Sequence, residues 1–198
     1  MTDLQSWVAP TYGRLADLLE EAAPQTWDAP SLCEEWLVRH VVAHVTMPAR
    51  MDPAQFGAEM AAAHGDFTVL SNTVAARDAS LPAGELLDQL RSPGLHAWQP
   101  PGGGAAGAVN HCVIHSLDVT IALDRPPVAP AKALTTVLDQ LARANGSIFG
   151  VDLTDVRLEA TDTAWEHGHG RLFRADAGSL VALLGGRTLP DGRSLPLA

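Results

Sequence analysis

The spacing of apolar residues predicts a mainly helical chain over its first two thirds. From Leu4 to Leu19 apolar residues recur at three- and four-residue intervals, the period of a helix with one buried face. Thr2 and Gln5 have the spacing of a capping box at the start of this segment. With prolines and glycines as breaks, the same reasoning predicts further helices over about 38–47, 53–64, 66–77, 83–91, 105–123 and 131–145. The second helix of the chain is expected to end before Pro48.

The pattern changes near residue 150. Apolar and polar residues alternate over Val156–Ala160, which predicts a strand. Gly168 and Gly170 indicate a turn, after which residues 171–174 are expected to pair back. A short helix is predicted over 179–184, where two glycines end it.

These patterns predict a mainly α protein with two domains, a helical bundle over 1–147 and a small α+β C-terminal domain over 150–198. Of the 198 residues, 46% are hydrophobic and 18% charged, which is a globular composition and excludes a mostly disordered chain. No apolar run reaches the roughly 18 residues of a membrane-spanning helix. The N-terminus lacks the basic and apolar regions of a signal peptide, so a cytoplasmic protein is expected.

Charge narrows the classes of partner. Lys and Arg number 13 against 23 Asp and Glu, a formal net charge of −10. Nucleic acids and anionic membranes attract basic surfaces, so neither is an expected partner. Cys33 and Cys112 are too few for a disulfide framework and are expected to be reduced in a cytoplasmic chain.

Two histidines in one predicted helix carry the strongest chemical signal. His111 and His115 are four residues apart, so they share a helix face at the spacing with which two imidazoles grip one metal ion. Asp118 lies on the same face, where a carboxylate holds the second ring N–H of a metal-binding histidine. The rest of this helix is apolar nearly all round, which indicates burial. Buried polar groups need partners, because each unpaired one costs several kcal/mol.

The second predicted helix repeats this anomaly. His44 is surrounded by valines and alanine, and His40 precedes it by one turn. A helical bundle brings His44 against His111 and His115, and three imidazoles from two helices form a metal site with positions left for water or substrate. The alternative, a set of core histidines that only form hydrogen bonds, stays open at this point.

Other candidates are weaker. Residues 102–107 match G-x-G-x-x-G, but no βαβ unit surrounds them, so a dinucleotide site is not expected. Cys33 is a candidate nucleophile, although such a cysteine is more often a small buried hydrophobe. Cys112 points about 100° away from the His111 face and is assigned to the core. Arg77 or Arg91 is expected to meet an anionic substrate, on charge alone.

Several segments share one family pattern. They are Pro30-Ser-Leu-Cys-Glu-Glu-Trp36, Val38-Arg-His-Val-Val-Ala-His44, Asn72-Thr-Val-Ala-Ala-Arg77, Leu86-Leu-Asp-Gln-Leu-Arg91, His111-x-x-x-His115-x-x-Asp118 and the tail that ends in Leu183-Leu-Gly-Gly-Arg187. In this order they resemble the mycothiol-dependent maleylpyruvate isomerase family, within the DinB-like metalloproteins. The resemblance implies a DinB-like four-helix bundle with a small α+β C-terminal domain.

The resemblance also implies a function. It implies a divalent metal, usually zinc, bound by His44, His111 and His115, with Asp118 orienting a ligand imidazole. It implies mycothiol as the thiol cofactor, whose metal-bound thiolate attacks a small electrophile in an isomerisation or S-transfer. Position 40 is often Asp in the family and is His40 here. The alternatives are a metal-dependent hydrolase on the same site and a non-enzymatic, stress-response bundle that binds a metal or a small molecule.

Overall fold

The structure, a computed structural model, describes residues 3–143 and 145–198. Its α-helices are α1 (Val8–Glu20), α2 (Val38–Val45), α3 (Met47–Arg50), α4 (Pro53–Ala62), α5 (Phe67–Asp78), α6 (Ala83–Leu90), α7 (Pro93–Ala97), α8 (Gly104–Thr120), α9 (Ala131–Arg143) and α10 (Ala177–Leu184). Its strands are β1 (Val156–Ala160), β2 (Glu166–Gly168) and β3 (Arg171–Ala175). Among these helices none is long and apolar enough to cross a membrane.

The helix starts follow local capping chemistry. Asp52 caps α4 by accepting a hydrogen bond from the Gln55 backbone, and Pro53 follows it in the first turn. The second predicted helix differs, because α2 ends at Val45 and Pro48 lies in the first turn of α3, where its missing N–H costs no hydrogen bond. Thr2 of the predicted capping box lies outside the described residues.

The helices pack as a bundle around α8. Helices α1, α2 and α9 contact α8, α6 contacts α1 and α2, and α5 covers α2. Three of the largest side chains in the core, Leu15, Leu117 and Leu138, are completely inaccessible to solvent. Because α8 is central, polar side chains on it are buried, which explains why its His and Asp residues need partners.

The small sheet has the order β2-β1-β3. Strand β2 pairs antiparallel with β1, whereas β3 pairs with β1 in parallel, so the segment after the turn lies on the other edge of β1. The chain crosses the start of β1 through Gly168 and Gly170, both at positive φ. A Cβ on Gly168 would meet the Val156 carbonyl oxygen at 2.2 Å, and one on Gly170 would meet the Asp155 carbonyl oxygen at 2.2 Å. Only glycine fits this crossing.

The C-terminal elements share a core with the bundle. Helix α10 packs on α8 and α9, and the core cluster of buried apolar residues runs without a break from α1 to Leu195. The indole N–H of Trp165 also donates to Asp139 on α9 at 3.0 Å. This packing fixes the segment after α10 beside α8. The division into domains at 147–150 stays a prediction.

A second, smaller apolar cluster supports α5. It consists of Met47, Ala63, Leu70 and Val74, from α3, α5 and the α4–α5 turn. Arg50 ties this region to the bundle, because its guanidinium donates to Asp78 on α5 at 2.9 Å and to Gln89 on α6 at 2.6 Å. Helix α5 is thereby held across α2, where it forms one wall of a cleft.

Candidate metal centre

Three imidazoles meet between α2 and α8. His44 comes from α2, and His111 and His115 are one turn apart on α8; one ring nitrogen of each lies within 4.8 Å of the others. The Nε2 atoms of His44 and His111 are 3.2 Å apart. Two nitrogens bound to tetrahedral zinc at about 2.0–2.1 Å lie roughly 3.3 Å from each other. The cluster therefore has the spacing of ligands around one metal ion.

Burial keeps two of these imidazoles, His44 and His111, neutral. His44 is 4% exposed, and burial, together with the charges that His115 and His111 would carry, lowers its pKa well below the ordinary value. Burial and the neighbouring His115 lower the pKa of His111 to about 3. Only a neutral imidazole has a lone pair for a metal ion. His44 and His111 are thus in the binding form at neutral pH.

Two outer partners orient the rings on α8. The Nδ1 atom of His115 lies 2.8 Å from a carboxylate oxygen of Asp118, and the Nδ1 atom of His111 lies 3.0 Å from the Tyr12 hydroxyl. When Nδ1 donates, the Nε2 lone pair is free for a metal. The buried Nδ1 of His44 has no hydrogen-bond partner among the described residues. This donor set of three imidazoles, two with outer partners, fits zinc or a similar divalent ion.

Asp118 is the most connected group of the centre. It is completely buried and accepts hydrogen bonds from His115, from the Cys33 thiol at 3.0 Å and from Arg187 at 2.7 and 3.0 Å. Burial alone would raise the pKa of this carboxyl, but the hydrogen bonds from His115 and Arg187 hold it well below its usual range. Asp118 is therefore a carboxylate whose charge is balanced by Arg187.

A cleft of about 660 Å³ opens beside the imidazoles. His44 and His115 line it, whereas His111 lies behind them. The remaining lining residues are Cys33, Glu34, Glu35, Trp36, Phe67, Thr68, Ser71, Asn72 and Arg187. A volume of this size is typical of sites for small molecules, roughly 300–1,000 Å³.

Comparison with known proteins agrees with this architecture. Residues 8–97 match the family model of the mycothiol maleylpyruvate isomerase N-terminal domain. This segment of the chain is therefore similar to the N-terminal domain of that family. His44 lies inside the matched segment, whereas His111, His115 and Arg187 lie beyond it. No curated protein matches the chain in sequence.

Two solved structures are similar to the chain over nearly its whole length. They are crystal structures of the mycothiol-dependent maleylpyruvate isomerase and of a histidine-to-alanine mutant of it, 16% and 17% identical in sequence. Each alignment covers 98% of this chain and 95% of the other, with a TM-score of 0.57. This likeness confirms the predicted fold class, a mainly α helical bundle with a small α+β C-terminal part.

His40 acts as a helix cap. Its Nδ1 accepts a hydrogen bond from the Leu37 backbone N–H at 3.1 Å, so the apolar N-cap residue Leu37 is compensated from within the first turn of α2. Burial and the charge of Arg39 lower the pKa of His40, which keeps this acceptor nitrogen unprotonated. An aspartate at position 40 would cap the helix in the same way.

The two arginines expected to meet an anionic substrate lie elsewhere. Arg77 pairs with Glu59 and Asp78, and Arg91 pairs with Asp17 and Glu20. Neither lines the cleft. That expectation is wrong, because acidic neighbours already neutralise both side chains.

Sequence reasoning missed Arg187 and Tyr12. Arg187 follows α10 and reaches Asp118 across 69 positions of the chain, and the Tyr12 hydroxyl reaches His111 across 99. One signal was available for Arg187, since a buried carboxylate requires a cation and the tail motif ends in this arginine. Tyr12 is the single tyrosine of the chain.

Metal uptake should release few protons. At pH 6.0 three ordinary imidazoles are each about three-quarters protonated and would release roughly two protons together. Because the pKa values of His44 and His111 are lowered, we expect at most about one proton per ion. Calorimetric titration with zinc in buffers of different ionisation enthalpy measures this number. Release of two or more protons would contradict the conclusion that His44 and His111 are neutral before the metal binds.

Proposed function

We propose that the chain is a metal-dependent, mycothiol-utilising isomerase or S-transferase that acts on a small electrophile. The observation that carries the proposal is the convergence of His44, His111 and His115 beside an open cleft. The match of residues 8–97 to the mycothiol maleylpyruvate isomerase N-terminal domain supports mycothiol as the thiol cofactor. A cytoplasmic location and the absence of nucleic-acid partners stay predictions.

His44, His111 and His115 would hold the ion, with zinc the best match to three imidazole ligands. When bound, the ion would supply Lewis acidity that lowers the pKa of a cofactor thiol toward neutral pH. Asp118 and Tyr12 keep the rings of His115 and His111 in the orientation that binding needs. Arg187 neutralises Asp118, so the carboxylate orients His115 without adding net charge beside the cleft.

Two aromatic rings flank the imidazole at the cleft. The ring centroids of Trp36 and Phe67 are 5.1 and 6.5 Å from that of His44. They restrict the approach of water to this side of the cluster. In an isomerisation the thiol adds to a carbon of the substrate double bond, and the same C–S bond breaks after rotation, so the thiol is regenerated. In an S-transfer by addition the C–S bond remains in the product, because the neighbouring carbon takes up the proton that the thiol gave up.

The reacting sulfur must come from the cofactor. Burial and the neighbouring Asp118 raise the pKa of the Cys33 thiol, and burial raises the pKa of Cys112 to about 12. A protonated thiol is a poor nucleophile. We therefore expect Cys33→Ser and Cys112→Ser to retain mycothiol-dependent turnover, and chelation of the metal to abolish it. Loss of turnover in Cys112→Ser with a normal thermal unfolding curve would contradict this assignment.

The decisive experiment is calorimetric titration of mycothiol into the zinc-loaded and the metal-free protein. We expect binding to the loaded form that is lost when zinc is removed, together with mycothiol-dependent isomerisation of maleylpyruvate or a related electrophile. His169→Ala is the matched control, because the side chain of His169 is 90% exposed and lies outside the cleft. Equal affinity in both forms, or none, would contradict the proposal. Metal-dependent turnover without thiol would favour the hydrolase.

A further inference from the structure

The outer part of the cleft is polar and is not used by the chemistry proposed above. Its buried end contains His44, His115 and Arg187, whereas its mouth is formed by one face of α5 and by residues 34–36. A cleft of about 660 Å³ is larger than a small electrophile and a thiol group require. The residues at the mouth therefore indicate what else is bound there.

One buried hydrogen-bonding group at the mouth has no partner in the described part of the chain. This group is the Ser71 hydroxyl, because Ser71 is only 7% exposed and its Oγ is buried without a hydrogen bond. A buried hydroxyl without a partner costs about 1–3 kcal/mol. One turn earlier on α5, the Thr68 hydroxyl also lines the cleft. A bound group that exchanges hydrogen bonds with Ser71 would remove this cost.

Asn72 presents donors at the same wall. Its Oδ1 accepts a hydrogen bond from the Trp36 indole at 3.0 Å, which fixes both side chains and leaves the Asn72 amide N–H groups for a ligand. Phe67, 51% exposed, lies on the same α5 face. Polar groups beside aromatic rings suit a saturated ring that bears hydroxyls, because hydroxyls exchange hydrogen bonds while C–H groups contact the aromatic rings.

The charges at the mouth favour a neutral occupant there over an anionic one. Glu34 and Glu35 stand exposed at the mouth and make no ion pair with any described residue. Arg187, the one cation among the described lining residues, is already matched by Asp118. A carboxylate or phosphate would meet two negative charges here and find no free positive one. A neutral polyol would instead find acceptors in the two carboxylates.

We infer that the α5 face with Ser71 and Asn72, together with Trp36, is a subsite for the neutral, polyhydroxylated portion of the thiol cofactor. Mycothiol carries its cysteinyl thiol on an amino sugar joined to inositol, and the acylated amino group is uncharged. The thiol would then lie toward His44 and His115 while the rings occupy the mouth. This inference rests on the proposed function and adds the part of the ligand that is recognised away from the metal.

The test compares mycothiol with N-acetylcysteinamide, a neutral thiol that lacks the sugar and the inositol. We expect the zinc-loaded protein to bind mycothiol at least about tenfold more tightly. Ser71→Ala and Asn72→Ala should each weaken mycothiol about three- to tenfold and leave N-acetylcysteinamide unchanged. The matched control is Thr73→Ala on the same helix. The Thr73 hydroxyl is exposed and donates a hydrogen bond to the backbone carbonyl of Val69, one turn earlier.

The outcomes separate the subsite from the proposed function. If both thiols bind with equal affinity, or if the two variants weaken both thiols alike, the subsite is wrong while thiol binding stands. If neither thiol binds the zinc-loaded protein, the proposed function fails. A second titration uses N-acetylglucosaminyl-inositol, which has no thiol and whose acylated amino group is uncharged, with the metal-free protein. Weak binding that Asn72→Ala removes and Thr73→Ala retains would support the subsite, and binding unaffected by Asn72→Ala would overturn it.

Discussion

Alanine in place of His44, His111 or His115 should each time abolish stoichiometric binding of a divalent ion. The wild-type protein is expected to hold about one ion per chain, zinc or nickel, because the three ring nitrogens lie within 4.8 Å of one another. Removal of one imidazole leaves two ligands, and we expect each variant to lose at least about 100-fold in affinity. Elemental analysis after dialysis and a competition assay with a chromophoric chelator measure the loss.

The control for this prediction is His96→Ala. His96 lies outside the cluster and its ring bonds to the Leu90 carbonyl, so metal content should be unchanged in this variant. The double variant His111→Ala/His115→Ala gives the sharper answer, because it removes both ligands from α8. If the double variant still retained one ion per chain, the metal centre would be disproved.

The second large effect is a loss of folding stability when Arg187 is replaced by an apolar residue. Its guanidinium makes two hydrogen bonds to the completely buried Asp118, so Arg187→Leu would leave a buried carboxylate without its cation. Breaking a buried pair in this way costs about 3–5 kcal/mol of the free energy of unfolding. The pKa of Asp118 is held well below its usual range, so the loss should be complete at pH 7. It should shrink as the pH falls through the pKa of Asp118 in the folded variant, which burial raises once the guanidinium is gone, because protonation then removes the buried charge.

Measuring zinc affinity beside stability separates two roles of Asp118: its charge pair with Arg187 and its orientation of the His115 ring. Asp118→Asn should keep the fold and lower zinc affinity by about 10–100-fold, because His115 loses its carboxylate partner. Asp118→Leu/Arg187→Leu removes both charges and should recover much of the stability lost in Arg187→Leu without recovering zinc affinity. Arg174→Leu is the matched control, since its pair with Glu159 is exposed and worth about 1 kcal/mol or less. Equal denaturation midpoints for Arg187→Leu and Arg174→Leu would contradict the role of Arg187.

The local parts of the structure could be predicted from the sequence. Helix starts at Asp52 and Asp66 and the i, i+4 histidine pair on α8 depend on spacings of a few residues, which periodicity and capping rules describe. The apolar surround of His44, together with the expected bundle, placed this residue of another helix in the same proposed site, and the resemblance agreed. The apolar residues around α8 predicted that this helix is buried, and buried histidines need partners. This is why the two histidines on α8 indicated a site.

The parts that were missed depend on contacts between distant segments. Arg187 meets Asp118 only because α10 packs on α8, and no local pattern encodes that packing. Strand β2 has three residues, too few for alternation to reveal it, so the parallel pairing of β3 could not be foreseen. The cleft wall on α5 was equally hidden, because Ser71 and Asn72 look like ordinary polar positions until α5 is placed across α2.

The position of Arg187 near the end of the chain sets an order of assembly. During synthesis Asp118 leaves the ribosome 69 residues before the guanidinium that neutralises it. Until the C-terminal elements have folded, α8 cannot bury this carboxylate in its charged form without a large cost. His115 therefore receives its fixed orientation last, after α10 has docked. A variant that lacks the segment carrying Arg187 would leave the helices with an unfinished centre, because Asp118 would have no guanidinium to neutralise it.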